Sequence, residues 1–501
     1  MQLSKLLEGL QVTESVNDLN LDITNVHSDS RMIEANGLFV AINGYLKKGI
    51  EFLDSAISNG AVAALVEDDV DISSLPQNIT YIKVKETQRR ALAILNCNLY
   101  DNPSKKFKLI GVTGTKGKTT TTYMIKSLLE AHGLKVGLIG SIAIYIGDEK
   151  IKETDRTTPE ADEVQYYLSQ MADANVDAAV IEVSSQALKL DRVYGCDFDI
   201  GVFTNLTEDH ISKNEHADME EYFNCKCMLF DMAPLGIINV DDSTVRTILD
   251  KNKTCKFKTF GLDNKADLMA DKSTLKITPM YIDFTANIDG KDENFEVSIP
   301  GKFSVYNSLG AISVAREFGV TPDEMRKALK NLKVLGRNEL VPNKLGLSII
   351  IDYAHTPSSL QSILESVKAY AKGRVICAWG VGGDRDATKR PIMGEISGRL
   401  ADYTILMSDQ VRTEDPLKIL KEIEVGVIKS GGKYELIVDR TQGIRRAIEI
   451  AEKDDIIVIP GLGSDLYLEK DHVKHFYDER QVIAELIDEM IANGEKKPVN
   501  E

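Results

Sequence analysis

The 501-residue sequence predicts an α/β chain of three domains. Three observations carry that expectation. Short apolar runs alternate with helical patterns, as mostly parallel, doubly wound sheets require. One run, Phe107–Val112, passes straight into a glycine-rich loop and then a helical pattern. A further series of apolar runs, each followed by a Gly- or Asp-rich loop, starts near Gly336 and reads as a Rossmann-like sheet. The expected divisions are 1–98, a small N-terminal α/β domain; 99–335, a central P-loop domain; and 336–501, a C-terminal domain.

In the first segment the strand candidates are Gly37–Ile42, Ala61–Val66 and Ile79–Val84, and the turn cluster Asp101-Asn-Pro-Ser104 serves as a linker. In the second, Lys118–His132 has helical spacing and Gly133 stands where a left-handed cap is wanted. Asp177–Val183 and Phe198–Thr204 read as buried strands, and Met219–Phe230 as a helix carrying Lys226 between Cys225 and Cys227. Residues 280–285 and 294–299 alternate as antiparallel strands do. In the third, Leu347–Ile351, Arg374–Trp379, Tyr403–Met407 and Asp455–Ile459 are the strands. The tail from Asn493 is expected to fray.

Bulk properties narrow the chemistry. A net charge of −17 argues against nucleic acid as partner and against a polynucleotide-stimulated ATPase. No apolar run approaches the ~18 residues of a membrane span, and the N-terminus has no secretory pattern, so a cytoplasmic protein is expected. Six scattered cysteines form no disulfide framework.

Gly111-Val-Thr-Gly-Thr-Lys-Gly-Lys-Thr-Thr120 is the loop that carries chemistry. A strand, a glycine loop and a helix start point backbone N–H groups at phosphate oxygens. Lys118 adds a charge near the outer phosphates and Thr119 a hydroxyl for Mg²⁺; Gly114, Thr115, Lys116, Gly117 and Thr120 complete the cradle. Five residues, not four, separate Gly111 from Gly117. Glu182, near a strand end, is a candidate Mg²⁺ carboxylate, and His210 a candidate ligand or phosphate contact.

The ordered motifs Gly114–Thr120, Thr157-Thr-Pro159, Glu182-Val-Ser-Ser185, Thr204–His210, Gly336-Arg-Asn-Glu339 and Asp352–Pro357 resemble those of the Mur ligases, over nearly the whole chain. His27–Arg31, Leu38–Ile42, Gly382–Asp386 and Lys389-Arg-Pro391 are similar to the branch that adds a third residue, a diamino acid, to UDP-N-acetylmuramoyl-L-alanyl-D-glutamate. The resemblance implies an ATP-dependent amide ligase of peptidoglycan synthesis that works through an acyl phosphate; a monomer is the expected state. It implies two Mg²⁺ sites, one on Thr119 and Glu182, the other on His210 and a CO₂-derived carbamate of Lys226. It places Asn307 and His355 near adenine, and Arg337 and Asp352 near ribose and phosphates. The dipeptide falls to Thr157, Thr158, Ser184 and Arg192, and the uridine diphosphate to Ser28, Ser30 and Arg31 in a uridine-binding first domain. The diamino acid falls to Arg385, Asp409, Arg412, Gly461 and Asp465.

The chain departs from the family pattern at several places. Gln186 replaces the usual His, and Lys47–Phe52 lacks the Asp-Gly-His pattern. Where diaminopimelate-using members carry Asp-Asn-Pro-Arg and Gly-Lys-Gly-His-Glu, this chain has Asp409-Gln-Val-Arg412 and Gly461-Leu-Gly-Ser-Asp465. An arginine suits the distal carboxylate of meso-diaminopimelate, which lysine lacks, so that amino acid is favoured, with L-lysine or another diamino acid left open. Competing readings are another ligase of the superfamily, such as a folylpolyglutamate-type enzyme, and a non-catalytic nucleotide-binding paralogue.

Overall fold

The structure is a computed structural model describing residues 1–44, 47–208, 211, 215–252 and 254–499. It divides into two compact units, Met1–Met269 with Tyr306–Met325, and Ala270–Val305 with Arg326–Glu501.

The first unit opens with strands β1 (Val12–Val16), β2 (Asn25–His27), β3 (Gly37–Val40), β4 (Ala61–Leu65) and β5 (Thr80–Val84), in the order β1-β5-β4-β3-β2. Only β1 runs antiparallel to its neighbour. Alternate residues of β3 and β4 feed two cores: Leu38, Val40, Ala63 and Leu65 on one face, Phe39 and Ala64 on the other. Covering both faces is why these strands read as continuous apolar runs.

The second sheet of this unit holds β6 (Lys108–Thr113), β7 (Val136–Ile139), β8 (Ala143–Ile146), β9 (Glu149–Glu153), β10 (Ala178–Glu182), β11 (Ile200–Phe203), β12 (Leu235–Asn239) and β13 (Lys256–Gly261). Their order is β13-β12-β11-β6-β10-β7-β8-β9, parallel from β13 to β7 and antiparallel beyond. The chain fills one side of β6 and then the other, so the carboxyl end of β6, between β10 and β11, is a switch point where ligands bind in such sheets. Gly111 lies inside β6, where a Cβ would come 2.8 Å from Leu229 and 2.9 Å from Phe198. The five-residue spacing follows: Gly111 admits the helix Met219–Asp231 to the sheet, and Gly114 and Gly117 are the loop glycines.

In the second unit, β14 (Leu268–Ile277), β15 (Ile282–Ile288) and β16 (Lys291–Val297) form an antiparallel ladder from Ala270 on. A separate sheet holds β17 (Glu339–Leu340), β18 (Ser348–Asp352), β19 (Val375–Trp379), β20 (Tyr403–Leu406), β21 (Tyr434–Leu436) and β22 (Ile456–Pro460), in the order β17-β18-β22-β19-β20-β21 and parallel except at β17. Ile350, Cys377 and Val458 face helices Pro357–Lys368, Lys389–Leu400 and Pro416–Ser430; Ile349, Ile376 and Ile457 face Arg440–Ile450 and Glu479–Ala492. A hairpin, β23 (Tyr467–Lys470) with β24 (Val473–Phe476), follows β22. The α/β expectation holds in the three mostly parallel sheets, and the antiparallel expectation for residues 280–285 and 294–299 holds in β15 and β16.

The tail corrects one expectation. As far as Val499 it is pinned, not frayed: Arg445 donates to Glu495 at 2.8 Å, Lys496 to the Ala451 carbonyl at 2.9 Å, and the Val499 amide to the Lys344 carbonyl at 3.0 Å. Charged side chains near a terminus conceal such ties from a composition-based reading.

Candidate active site

The loop after β6 is built as its glycines require. Gly114 has φ +145° and a Cβ there would lie 1.9 Å from Thr204 Oγ1; Gly117, at φ +85°, caps the helix Lys118–Ala131 and abuts the Asn307 side chain. That helix start bears no side-chain cap, which leaves its first amides aimed at the loop. The loop is stapled from β11. Thr115 N donates to Asn205 O at 2.8 Å, Lys116 N to Asn205 Oδ1 at 2.9 Å, and Thr204 Oγ1 to Lys116 O at 2.7 Å. Asn239, at the end of β12, holds the Thr204 carbonyl at 3.0 Å.

Two lysines meet in this cradle. Lys118 Nζ donates to the Gly114 and Thr115 carbonyls at 3.0 Å each. Lys226 is 1% exposed, donates to Gly114 O at 2.8 Å, and lies 4.3 Å from the Tyr222 ring centroid. Tyr222 donates in turn to Thr115 Oγ1 at 3.0 Å. The helix Met219–Asp231 therefore delivers both side chains, one turn apart, to the phosphate loop. Cys225 and Cys227 flank Lys226 on it, both buried.

Glu182 ends β10 fully buried. It accepts from Thr119 Oγ1 at 3.1 Å, Ser141 N at 2.9 Å and Ser141 Oγ at 3.0 Å. Gly140 makes room, since a Cβ there would meet Glu182 Oε1 at 2.5 Å. With its proton on Glu182, Ser141 Oγ accepts from the Thr157 hydroxyl at 3.0 Å, tying the carboxylate to the Thr157–Pro159 segment. Sequence reasoning missed Ser141; the Gly-Ser pair at the end of the apolar run of β7 was the available signal. His210 lies outside the described residues, and no group of three His, Cys, Asp or Glu able to hold a metal occurs among those described.

Thr158, Ser184 and Arg192 come together. Thr158 Oγ1 donates to the Glu182 carbonyl at 2.7 Å and accepts from Ser184 N at 3.1 Å. Arg192 Nη1 reaches Thr158 O at 3.1 Å, and Nη2 pairs with Glu160 at 2.9 Å. Burial lowers the Arg192 pKa, with the Glu160 carboxylate opposing it. Glu160, which also takes Arg89 and Arg156, was missed too. Towards the N-terminal sheet, His27 Nδ1 lies 3.0 Å from Asp162. Ser28 is half-buried, Ser30 is buried with its hydroxyl 3.3 Å from Ser55, and the exposed Arg31 is held by Asp29 at 2.6 Å.

In the second unit, Asp352 accepts from Asn338 N at 2.7 Å, and the Arg337 guanidinium lies 4.6 Å from the Tyr353 ring centroid. His355 Nδ1 stands 2.7 Å from Tyr353 O. Gly461, at φ +135°, lets the chain pass Asp409, whose Oδ2 would be 2.3 Å from a Cβ. Asp409 receives Gln410 N at 2.6 Å and lies 3.8 Å from the buried Arg440. Arg412 and Asp465 are joined through Gln410, and burial raises the Asp465 pKa. Arg385 is exposed.

Three family models match the chain: "Mur ligase family, catalytic domain" over residues 22–97, "Mur ligase middle domain" over 112–315, and "Mur ligase, glutamate ligase domain" over 336–463. The chain belongs to the Mur ligase family. Among curated relatives of this Mur ligase, UDP-N-acetylmuramoyl-L-alanyl-D-glutamate–2,6-diaminopimelate ligase 1 of Clostridium acetobutylicum is 42% identical over 98% of this chain and 100% of its own. The UDP-N-acetylmuramoyl-L-alanyl-D-glutamate–2,6-diaminopimelate ligase of Clostridioides difficile is 39% identical over 98% of this chain and 100% of its own. A solved structure of a UDP-N-acetylmuramoyl-L-alanyl-D-glutamate–2,6-diaminopimelate ligase superposes with a TM-score of 0.68 at 26% identity, covering 98% of this chain and 99% of that one. A folylpolyglutamate synthase of Mycobacterium tuberculosis shares the fold, with a TM-score of 0.60 at 16% identity over 73% of this chain and 91% of its own. Among the described residues, no helix of this Mur ligase is long and apolar enough to cross a membrane.

Proposed function

We propose that this Mur ligase joins a diamino acid, meso-diaminopimelate in preference to L-lysine, to the D-glutamate side-chain carboxylate of UDP-N-acetylmuramoyl-L-alanyl-D-glutamate, spending ATP. A carboxylate is a poor acceptor for an amine because its leaving group would be oxide. ATP supplies the phosphoryl group that makes the carboxylate an acyl phosphate, and Mg²⁺ supplies positive charge between the anions. The observation that carries the reading is the pairing of the loop bearing Lys118 with the buried, thrice hydrogen-bonded Glu182. A carboxylate held this way at a P-loop helix start suits a hard cation.

On this reading Thr119 and Glu182 would hold one Mg²⁺, and His210 with a carbamate on Lys226 the other. Gly114–Thr120 bind and orient the phosphates, and Lys118 neutralises charge that grows during transfer. Thr157, Thr158, Ser184 and Arg192 orient the dipeptide; Asn307, Arg337, Asp352 and His355 the nucleoside; Ser28, Ser30 and Arg31 the uridine diphosphate. Residues 1–98, 99–335 and 336–501 then act as the uridine, ATP and amino-acid domains of a cytoplasmic monomer. The test is phosphate release from ATP by the purified chain with the UDP-dipeptide, run against meso-diaminopimelate, lysine, ornithine and lanthionine. Release with one diamino acid and amide product are expected; no release with any would overturn the reading.

A further inference from the structure

Resting on the reading that the second unit takes the incoming amino acid, we propose that Gln410 is the positioning residue for its selectivity. One side-chain amide holds the Arg412 guanidinium and the Asp465 carboxylate at a fixed separation, so that together they take the carboxylate and the ammonium at one end of a diamino acid.

Gln410 is 5% exposed and tied at both ends of its amide. Nε2 donates to Asp465 Oδ2 at 2.8 Å, and Oε1 accepts from Arg412 Nη2 at 3.3 Å. An acid on one side and a guanidinium on the other leave the amide a single sensible orientation. Its backbone is fixed as well: the Gln410 amide donates to Asp409 Oδ1 at 2.6 Å and its carbonyl accepts from Gly383 N at 2.9 Å. Val411 between the two polar residues is buried in the core, which anchors the loop from beneath.

Arg412 is aimed with equal care. Its Nε donates to Glu469 at 3.2 Å and Nη1 to the Gly383 carbonyl at 2.7 Å. Its main chain, at φ +52°, pairs with the hairpin through Glu469 O and Asp471 N. A guanidinium has five N–H groups. With one given to each of Glu469, Gly383 and Gln410, one remains on each terminal nitrogen among the described contacts, the complement a carboxylate accepts. Asp465 gives Oδ2 to Gln410, and its Oδ1 accepts no hydrogen bond among the described residues, which leaves it for an ammonium. Lysine would offer the ammonium without the carboxylate and leave Arg412 unmatched.

Two of the departures from the family pattern, Gln410 and Asp465, thus touch each other. Glutamine has one methylene more than asparagine, and aspartate one fewer than glutamate, so a Gln–Asp bridge has the reach of an Asn–Glu bridge. The experiment follows from that exchange. Steady-state kinetics of the full chain, at saturating ATP and UDP-dipeptide, are measured with meso-diaminopimelate and with L-lysine. Gln410→Asn is expected to raise KM for meso-diaminopimelate about tenfold and to lower its preference over lysine, with KM for ATP unchanged and kcat within about threefold. Asp465→Glu should do the same, and the double variant should restore KM to within about threefold of the wild type. Gln410→Glu, of equal length, keeps the Arg412 contact but opposes Asp465; a raised KM there supports the bridge even if Gln410→Asn folds poorly. An unchanged KM in Gln410→Asn or Gln410→Glu, or a double variant no better than the singles, overturns the proposal. Wild-type chain that joins neither diamino acid overturns both this and the functional reading, and that control tells the two failures apart.

Discussion

Lys118 and Lys226 place their side-chain nitrogens on one carbonyl oxygen, that of Gly114, at 3.0 and 2.8 Å. A carbonyl has two lone pairs and can accept both, but two ammonium groups so close repel each other in a buried site. Converting the buried lysine to a carbamate would turn that repulsion into attraction and make an oxygen ligand of it. Lys226→Ala is therefore expected to lose at least about 100-fold in kcat, and wild-type enzyme stripped of CO₂ should regain turnover on adding bicarbonate. Wild-type rates in Lys226→Ala at saturating Mg²⁺ would dismiss the carbamate.

Lys118→Ala separates charge from binding. Its Nζ donates to the Gly114 and Thr115 carbonyls, whereas the uridine diphosphate is assigned to Ser28, Ser30 and Arg31. Phosphate release should fall at least about 1000-fold while calorimetry still detects the UDP-dipeptide. Loss of both would point to a collapsed loop.

Ser141 offers a quieter test. Its amide and hydroxyl account for two of the three hydrogen bonds on the Glu182 side chain, and the hydroxyl also reaches Thr157. Ser141→Ala keeps the amide bond and removes the hydroxyl. The expected result is about a tenfold rise in the Mg²⁺ concentration giving half-maximal rate, with a melting temperature within a few degrees of wild type. A magnesium titration identical to wild type would leave Ser141 a purely structural residue.

What the sequence made legible was whatever repeats a local rule. The loop Gly114–Thr120, the helix it starts and Glu182 at the end of an apolar run are each read from neighbours in the chain. Ser141, Tyr222 and Glu160 were not legible, because their partners lie in other segments and a lone Ser, Tyr or Glu has no period. Gly111 was legible as a glycine but not for its reason, which lies in the side chains of Leu229 and Phe198. His27 and Asp162, 135 residues apart, meet only because the fold brings them together. A separation of 55 residues hid the bridge from Gln410 to Asp465 in the same way, although both positions stood out singly as departures.

Acid stability supplies the last test. Arg390 is 1% exposed at the side chain and pairs with Glu414 at 2.7 Å and Glu422 at 2.6 Å. The hydrogen bond from Arg390 is the main cause that holds the Glu414 carboxyl down at about 2, against an ordinary 4.5. A carboxyl with a depressed folded pKa binds protons more readily when unfolded, so its contribution is complete above about pH 4.5 and is lost as pH falls towards 2. Glu414→Gln should therefore destabilise the second unit at neutral pH, because it leaves the buried guanidinium short of one anion. Between pH 4.5 and 2 the variant should lose less further stability than the wild type, so the two curves converge. Urea midpoints measured across that range check both limbs. Parallel curves would mean that Glu414 has the same proton affinity folded and unfolded, and that the contact with Arg390 does not persist in solution.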